Sequence, residues 1–179
     1  MKVRTLAIIS ALFAICACNP GETDIYSKQL SGIEKYVNGQ MKSDSQLQCV
    51  TRDGVFRLIR EQGDGDTLER GDTLLFTYTG YRFSSYVISS ANIFVTNDIS
   101  VNWNVTDSTL IKNAPAVAIL GHSELFKGLE TGFDGIKCGE KCEILFPSRL
   151  GAGGKAIGTI PANCPLAYVI KAVEVRKKR

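Results

Sequence analysis

Cys138, Cys142 and Cys164, with His122, the only histidine in the 179-residue chain, are the residue types of a Cys3His zinc site. All three thiols sit in apolar strand and turn contexts, where a free cysteine behaves as a small buried hydrophobe, and that structural reading is the one adopted. With Cys49 they make an even set, which in an exported protein permits disulfides in three full pairings. Gly151-Ala152-Gly153-Gly154-Lys155-Ala156 fits the loose G-x-G-x-x-G/A pattern, whose glycines let a backbone approach a pyrophosphate at a helix N-terminus. The context fails: Gly158 and Pro161 interrupt the segment that would have to be the helix. A phosphate-binding lysine loop fails too, because Ala156, not Ser or Thr, follows Lys155.

The elements that position such residues are read from hydrophobic period. Tyr26, Leu30, Ile33 and Val37, within Asp24 to Met41, follow the spacing of an amphipathic helix that packs on the domain or a partner, or serves as a tether. Arg52-Asp53-Gly54 separates two short apolar runs and predicts a tight hairpin. Leu74, Phe76 and Tyr78 alternate onto one face of a strand, as do Cys142, Ile144 and Phe146, and again Leu166, Tyr168, Ile170 and Ala172. Between Ser123 and Gly135, Leu125, Phe126, Leu129 and Phe133 line one side of a short helix whose propensity Gly128 and Gly132 lower. The pattern is an antiparallel α+β domain with a single embedded helix.

The N-terminus reads as an export signal: Lys2 and Arg4, then an apolar run from Leu6 to Ala17 that is shorter than the roughly twenty residues of a bilayer span. Ile15-Cys16-Ala17-Cys18 resembles a bacterial lipoprotein signal, with Cys18 as the lipidated residue. The expected division is a signal peptide over 1–17, a tether and amphipathic helix over 18–45, and a folded domain over 46–179. The expected location is membrane-anchored, on the periplasmic or cell-surface side. Removing Lys2 and Arg4 from the 21 basic residues leaves them nearly balanced by the 18 acidic ones. The only basic cluster, Arg176 to Arg179, reads as a solvated strand end, so no nucleic-acid partner is expected.

An ordered set of strings resembles the FKBP-type peptidyl-prolyl isomerases over about residues 55–175. The set begins with Gly71-Asp72-Thr73, Tyr78-Thr79-Gly80, Phe94, and Leu120-Gly121 followed by Leu125-Phe126-Lys127-Gly128-Leu129-Glu130-Thr131-Gly132. It continues with Lys137-Cys138-Gly139-Glu140-Lys141, Phe146-Pro147-Ser148, Gly158-Thr159-Ile160-Pro161-Ala162-Asn163 and Leu166-Ala167-Tyr168-Val169. The resemblance implies an FKBP-like twisted antiparallel β-sheet wrapped around one short α-helix, here with an additional N-terminal helix and long loop insertions. It also implies rotation of X-Pro bonds, whose barrier of about 18–20 kcal/mol makes the uncatalysed exchange slow. A dry apolar cleft favours the twisted amide, which has less charge separation than the planar one, so no metal or other cofactor is implied.

Carried over by resemblance, Tyr78, Phe94 and Ile160 are the catalytic positions, with Ile160 capping the loop side. Leu125, Phe126, Leu129 and Tyr168 complete the apolar walls, and Leu125 and Phe126 offer a backbone amide to the peptide. The implied partners are proline-containing peptides or unfolded envelope proteins, together with the membrane through the lipid anchor. Val95 stands where the family usually has an aspartate, Ala152 where it has a substrate-contacting tyrosine, and Leu129 where it has a tryptophan. These departures imply weak activity, or a catalytically inactive peptide-binding lipoprotein on the same fold. The connections from Gly80 to Phe94 and from Asn97 to Leu120 are longer than the family's, and their extra residues could add a strand pair or a flap beside the pocket. Trp103 is expected either to anchor this extra piece or to be an exposed contact for a partner, the anchor being the reading adopted.

Overall fold

The computed structural model describes residues 20–104, 107–112 and 114–179, with side chains from residue 23 onward except those of 102–104. The export signal and the Cys18 lipidation site lie outside the described residues, and so does the side chain of Trp103. The helix α1 spans Pro20–Ser43 and α2 spans Lys127–Phe133. The strands are β1 Gln48–Arg52, β2 Val55–Glu61, β3 Thr73–Arg82, β4 Ile93–Thr96, β5 Ala116–Ile119, β6 Lys141–Phe146 and β7 Leu166–Arg176. They form one seven-stranded antiparallel sheet in the order β1-β2-β6-β7-β3-β4, with β5 pairing β3.

The β1–β2 hairpin closes where the sequence predicts, through Asp53 at φ 50° and Gly54 at φ 79°. Two consecutive left-handed residues match the twist of a tight hairpin, and Asp-Gly tolerates them. The long strand β3 has two partners on one edge: β5 covers Thr73 to Phe76, and β4 covers Thr79 to Tyr81. Between them Asn97, which is buried, replaces the missing ladder. Its Oδ1 accepts from the Tyr78 amide at 2.6 Å, and its Nδ2 donates to the Ala114 carbonyl at 3.0 Å.

The sheet buries both faces, which is why every β6 residue after Lys141 is buried, Glu143 included. On one face Leu74, Phe76, Cys142, Ile144, Phe146, Leu166, Ile170 and Ala172 pack around Leu129 and Phe133 of α2, the alternation read from the sequence. Helix α2 is shorter than that reading, because Leu125 and Phe126 precede it and Phe126 is extended at φ −56°, ψ 140°. Gly128 and Gly132 do more than weaken the helix. A Cβ on either would run into Phe146 or Ile144, so the two glycines set how closely α2 lies on β6. Arg57, buried under the far end of α2, donates to the Gly132 and Asp134 carbonyls at 2.9 Å and faces Glu140 at 3.4 Å. Those carbonyls would otherwise lack partners at the helix terminus.

On the opposite face α1 lays Ile33 and Val37 against Leu58, Leu145, Ala167 and Phe83. The helix is therefore docked on the domain. Tyr36 donates to Glu143 Oε2 at 2.9 Å, and Gln29 bridges the Ser148 amide at 2.8 Å and the Asn163 carbonyl at 2.7 Å. The stretch 81–86 belongs to this face as well. Tyr81 and Arg82 continue β3, while Phe83 and Tyr86 pack against the α1 side, edge to face with each other at 5.7 Å. That segment is not a flap beside the pocket. Residues Ile99–Asn104 form a 3-10 helix rather than a strand.

The basic C-terminus is also not simply solvated. Lys177 Nζ donates to Asp72 Oδ2 at 2.8 Å and Lys178 N to Asp72 Oδ1 at 2.9 Å, which fastens the end of β7 to the turn before β3. With the Glu69 amide also donating to it, the buried Asp72 carboxyl is held down at about 2, the Lys177 bond being the largest cause. Among the described residues, no helix is long and apolar enough to cross a membrane.

Candidate functional site

Where α2 meets the β3 and β7 strands, the apolar face stays open as a cavity of about 630 Å³. That volume suits a small molecule or a short peptide segment. Strand β3 contributes Phe76 and Tyr78, β5 contributes Ala116 and Val117, and β7 contributes Tyr168. Glu124, Leu125 and Phe126 enter from the segment before α2, and Leu129 enters from α2 itself. The segment is shaped by a tight turn: Ser123 N donates to the Ile119 carbonyl at 3.1 Å, Ser123 Oγ accepts from Ile119 N at 2.8 Å, and Leu125 N donates to the Ser123 carbonyl at 2.9 Å. The Phe126 amide donates to no acceptor among the described residues. Among the described residues Glu124 is the only formally charged one in the lining, so the site is a mostly apolar aromatic cleft with one acidic edge.

The rings form a connected aromatic wall. Tyr168 meets Phe94 edge-on at 5.7 Å, lies nearly parallel to Phe146 at 6.0 Å with an interplanar angle of 13°, and stands 6.2 Å from Tyr78. Tyr78 in turn lies 5.6 Å from Phe76. Burial pushes the phenols of Tyr78 and Tyr168 up, so both stay protonated at neutral pH. Neither hydroxyl has a hydrogen-bond partner among the described residues. Asn97 fixes the backbone of Tyr78 from behind, a positioning role that no local sequence signal announces.

Of the residues singled out from the sequence, the structure brings Tyr78, Leu125, Phe126, Leu129 and Tyr168 together on the cavity. Phe94 packs edge-on against Tyr168 and is not a lining residue of the cavity. Ile160 is 5% exposed within the core, its turn closed by mutual backbone bonds with Ile157 at 3.0 and 2.9 Å. Ala152 packs at the margin of the same core, and Val95 is paired with Gly80 on β4; neither is a lining residue. The sequence reading missed Ala116, Val117 and Glu124, and it took Phe76 only as core. Those positions reach the cavity through the β3–β5 register and the turn before α2, which are long-range features.

The alternative chemistries find no site. Among the described residues no group of three or more His, Cys, Asp or Glu side chains is placed to hold a metal. Cys49, Cys138, Cys142 and Cys164 are free thiols, with Cys138 and Cys164 directed at the Val173 and Pro165 carbonyls at 3.3 Å. Residues 151–156 run through turns that no helix follows, so the glycines cradle no helix N-terminus.

Residues 65–173, more than half of the chain, match the family model described as FKBP-type peptidyl-prolyl cis-trans isomerase. The chain is 28% identical over 117 residues to FK506-binding protein 4 of Chaetomium thermophilum, covering 65% of this chain and 20% of that protein. It is 34% identical over 70 residues to the FK506-binding protein of Neisseria meningitidis serogroup A, covering 38% and 64% respectively. The chain thus spans about a fifth of the fungal relative's length and just under two thirds of the bacterial one's. Among solved structures, FkpA from Escherichia coli superposes with a TM-score of 0.57 at 18% identity, over 88% of this chain and 63% of that one. A peptidyl-prolyl cis-trans isomerase from Pseudomonas syringae does so at 0.57 and 16% identity, over 84% and 96%. The two superpositions show the shared fold, and the family match over residues 65–173 assigns it: the chain belongs to the FKBP-type peptidyl-prolyl cis-trans isomerase family.

Proposed function

We propose that the cavity binds a prolyl segment of an extended peptide and that the protein isomerises X-Pro bonds with reduced activity. The observation that carries this reading is the aromatic cleft between β3, β7 and α2, which is mostly apolar and large enough for a prolyl ring and its neighbours. Phe76, Tyr78, Leu129 and Tyr168 surround the ring, while the unpaired Phe126 amide is available to a carbonyl of the peptide. A planar amide is more charge-separated than a twisted one, so transfer into this apolar cleft costs the ground state more than the transition state. The chain supplies shape and desolvation, and no bond is cleaved.

Reduced activity follows from Val95 on β4, where the family usually has an aspartate, and from Ala152 on the loop, where it has a substrate-contacting tyrosine. A preorganised donor at developing charge is worth about 2.7–4 kcal/mol in reactions with strong charge development, and amide rotation develops less. The export signal and Cys18 support a lipid-anchored location in which the clients are unfolded envelope proteins. A second reading, a non-catalytic peptide-binding lipoprotein, is favoured by the same Val95 and Ala152. Refolding of a proline-limited substrate protein separates them. The isomerase reading predicts acceleration by the full-length chain and a further gain in the Val95→Asp, Ala152→Tyr double variant. A rate equal to buffer for both natively folded proteins would leave the binding module standing alone.

A further inference from the structure

We propose that the Tyr168 hydroxyl is a hydrogen-bond donor to a backbone carbonyl of the bound prolyl peptide. This rests on the prolyl-site reading and adds a specific contact to it. Tyr168 lies in β7, is 4% exposed, and lines the cavity. Its ring is fixed by Phe94, Phe146 and Tyr78, contacts that a phenylalanine would make equally well. The oxygen adds nothing to that packing, and it has no partner among the described residues. Nor is it among the fully buried unpartnered polar atoms, so it opens to the cavity, where an acceptor on a bound ligand can reach it.

The phenols on the other face are treated differently. Tyr36 is satisfied by Glu143 at 2.9 Å, and Tyr86 reaches the Lys28 carbonyl at 3.5 Å. Of the two cavity tyrosines, Tyr168 is the more buried. Burial keeps its phenol protonated, so at neutral pH it is a donor.

The ligand chemistry follows from what the site lacks. A prolyl residue has no N–H, so the backbone around it presents carbonyl acceptors. An apolar floor with a fixed O–H suits that asymmetry. It would be mismatched to a ligand bearing only apolar surface.

The experiment uses the full-length protein and a blocked tetrapeptide with a central Leu-Pro. Affinity is read by NMR titration, with an isotopic label at tyrosine Cζ. Tyr168→Phe is expected to weaken binding about five- to tenfold while the unfolding midpoint stays level or rises. In the wild-type protein the Tyr168 Cζ resonance, identified by its loss in the variant, is expected to move on saturation. Equal affinity of variant and wild type, or a bound peptide that leaves that resonance unmoved, overturns the proposal and leaves the prolyl site intact. A wild-type protein that neither binds the peptide nor speeds its exchange overturns the prolyl site and the proposal together.

Discussion

Tyr36 and Tyr168 carry the same phenol to opposite faces of one sheet, and among the described residues only Tyr36 finds a hydrogen-bond partner. On the α1 face Tyr36 bonds Glu143, Arg60 bonds both Glu143 and Gln40, and Gln29 ties the helix to Ser148 and Asn163. On the α2 face Tyr78 and Tyr168 reach into a cavity with their hydroxyls unmatched. Burial raises both the Tyr36 and the Tyr168 phenols, so burial alone does not mark a site. The difference lies in polar satisfaction: the α1 face is finished as structure, and the α2 face is left incomplete until something occupies it.

The contrast is broken most strongly at Ile33, the α1 residue fully buried against the sheet. Ile33→Ala should cost about 2–5 kcal/mol in denaturant unfolding. Through Gln29 it should also loosen the loop of 148–163 at the edge of the α2 face, read as faster amide exchange there. Asp72, on neither face, gives the next largest effect. Its three bonds should make Asp72→Ala cost about 2 kcal/mol at neutral pH, measured by thermal or denaturant unfolding. Because the folded carboxyl titrates at about 2, its stabilisation is fully present above the ordinary carboxylate range near 4. It is lost as pH falls from roughly 4 to 2, so the variant should show a shallower loss of stability across that window.

Tyr36→Phe should then cost about 1 kcal/mol, since Glu143 keeps Arg60 as a partner at 2.8 Å. Tyr168→Phe is the smallest change in stability, within about 0.5 kcal/mol of wild type in the same unfolding experiment. That ordering sharpens the comparison. Equal losses at Tyr36 and Tyr168 would mean that the cavity phenol is structural after all.

Much of the fold was legible from local pattern because the period-two runs in β3, β6 and β7 point one set of side chains at α2. The Asp53-Gly54 turn was legible for the same local reason. What local pattern did not give was the second face. Phe56, Leu58, Leu145 and Ala167 were needed to show that the sheet is covered on both sides, and Phe83 and Tyr86 read as a pocket-side insertion until they were seen against the α1 side. The cavity was legible only through the family resemblance, at Tyr78, Leu125, Phe126, Leu129 and Tyr168. Ala116, Val117 and Asn97 reach their places through strand register and a broken ladder, which single-residue chemistry does not encode. Ile160 and Val95 stand in motif positions, yet one is sealed by its own turn and the other faces Gly80 across β4.

Cis–trans exchange in a Leu-Pro peptide, followed by exchange NMR as the concentration of full-length protein is raised, tests the prolyl cavity most directly. A rate that climbs with protein, and collapses when Leu129→Lys places a charge in the cleft of a still-folded chain, is the expected result. A rate that stays at the buffer value at every wild-type concentration, with no peptide bound, would contradict it.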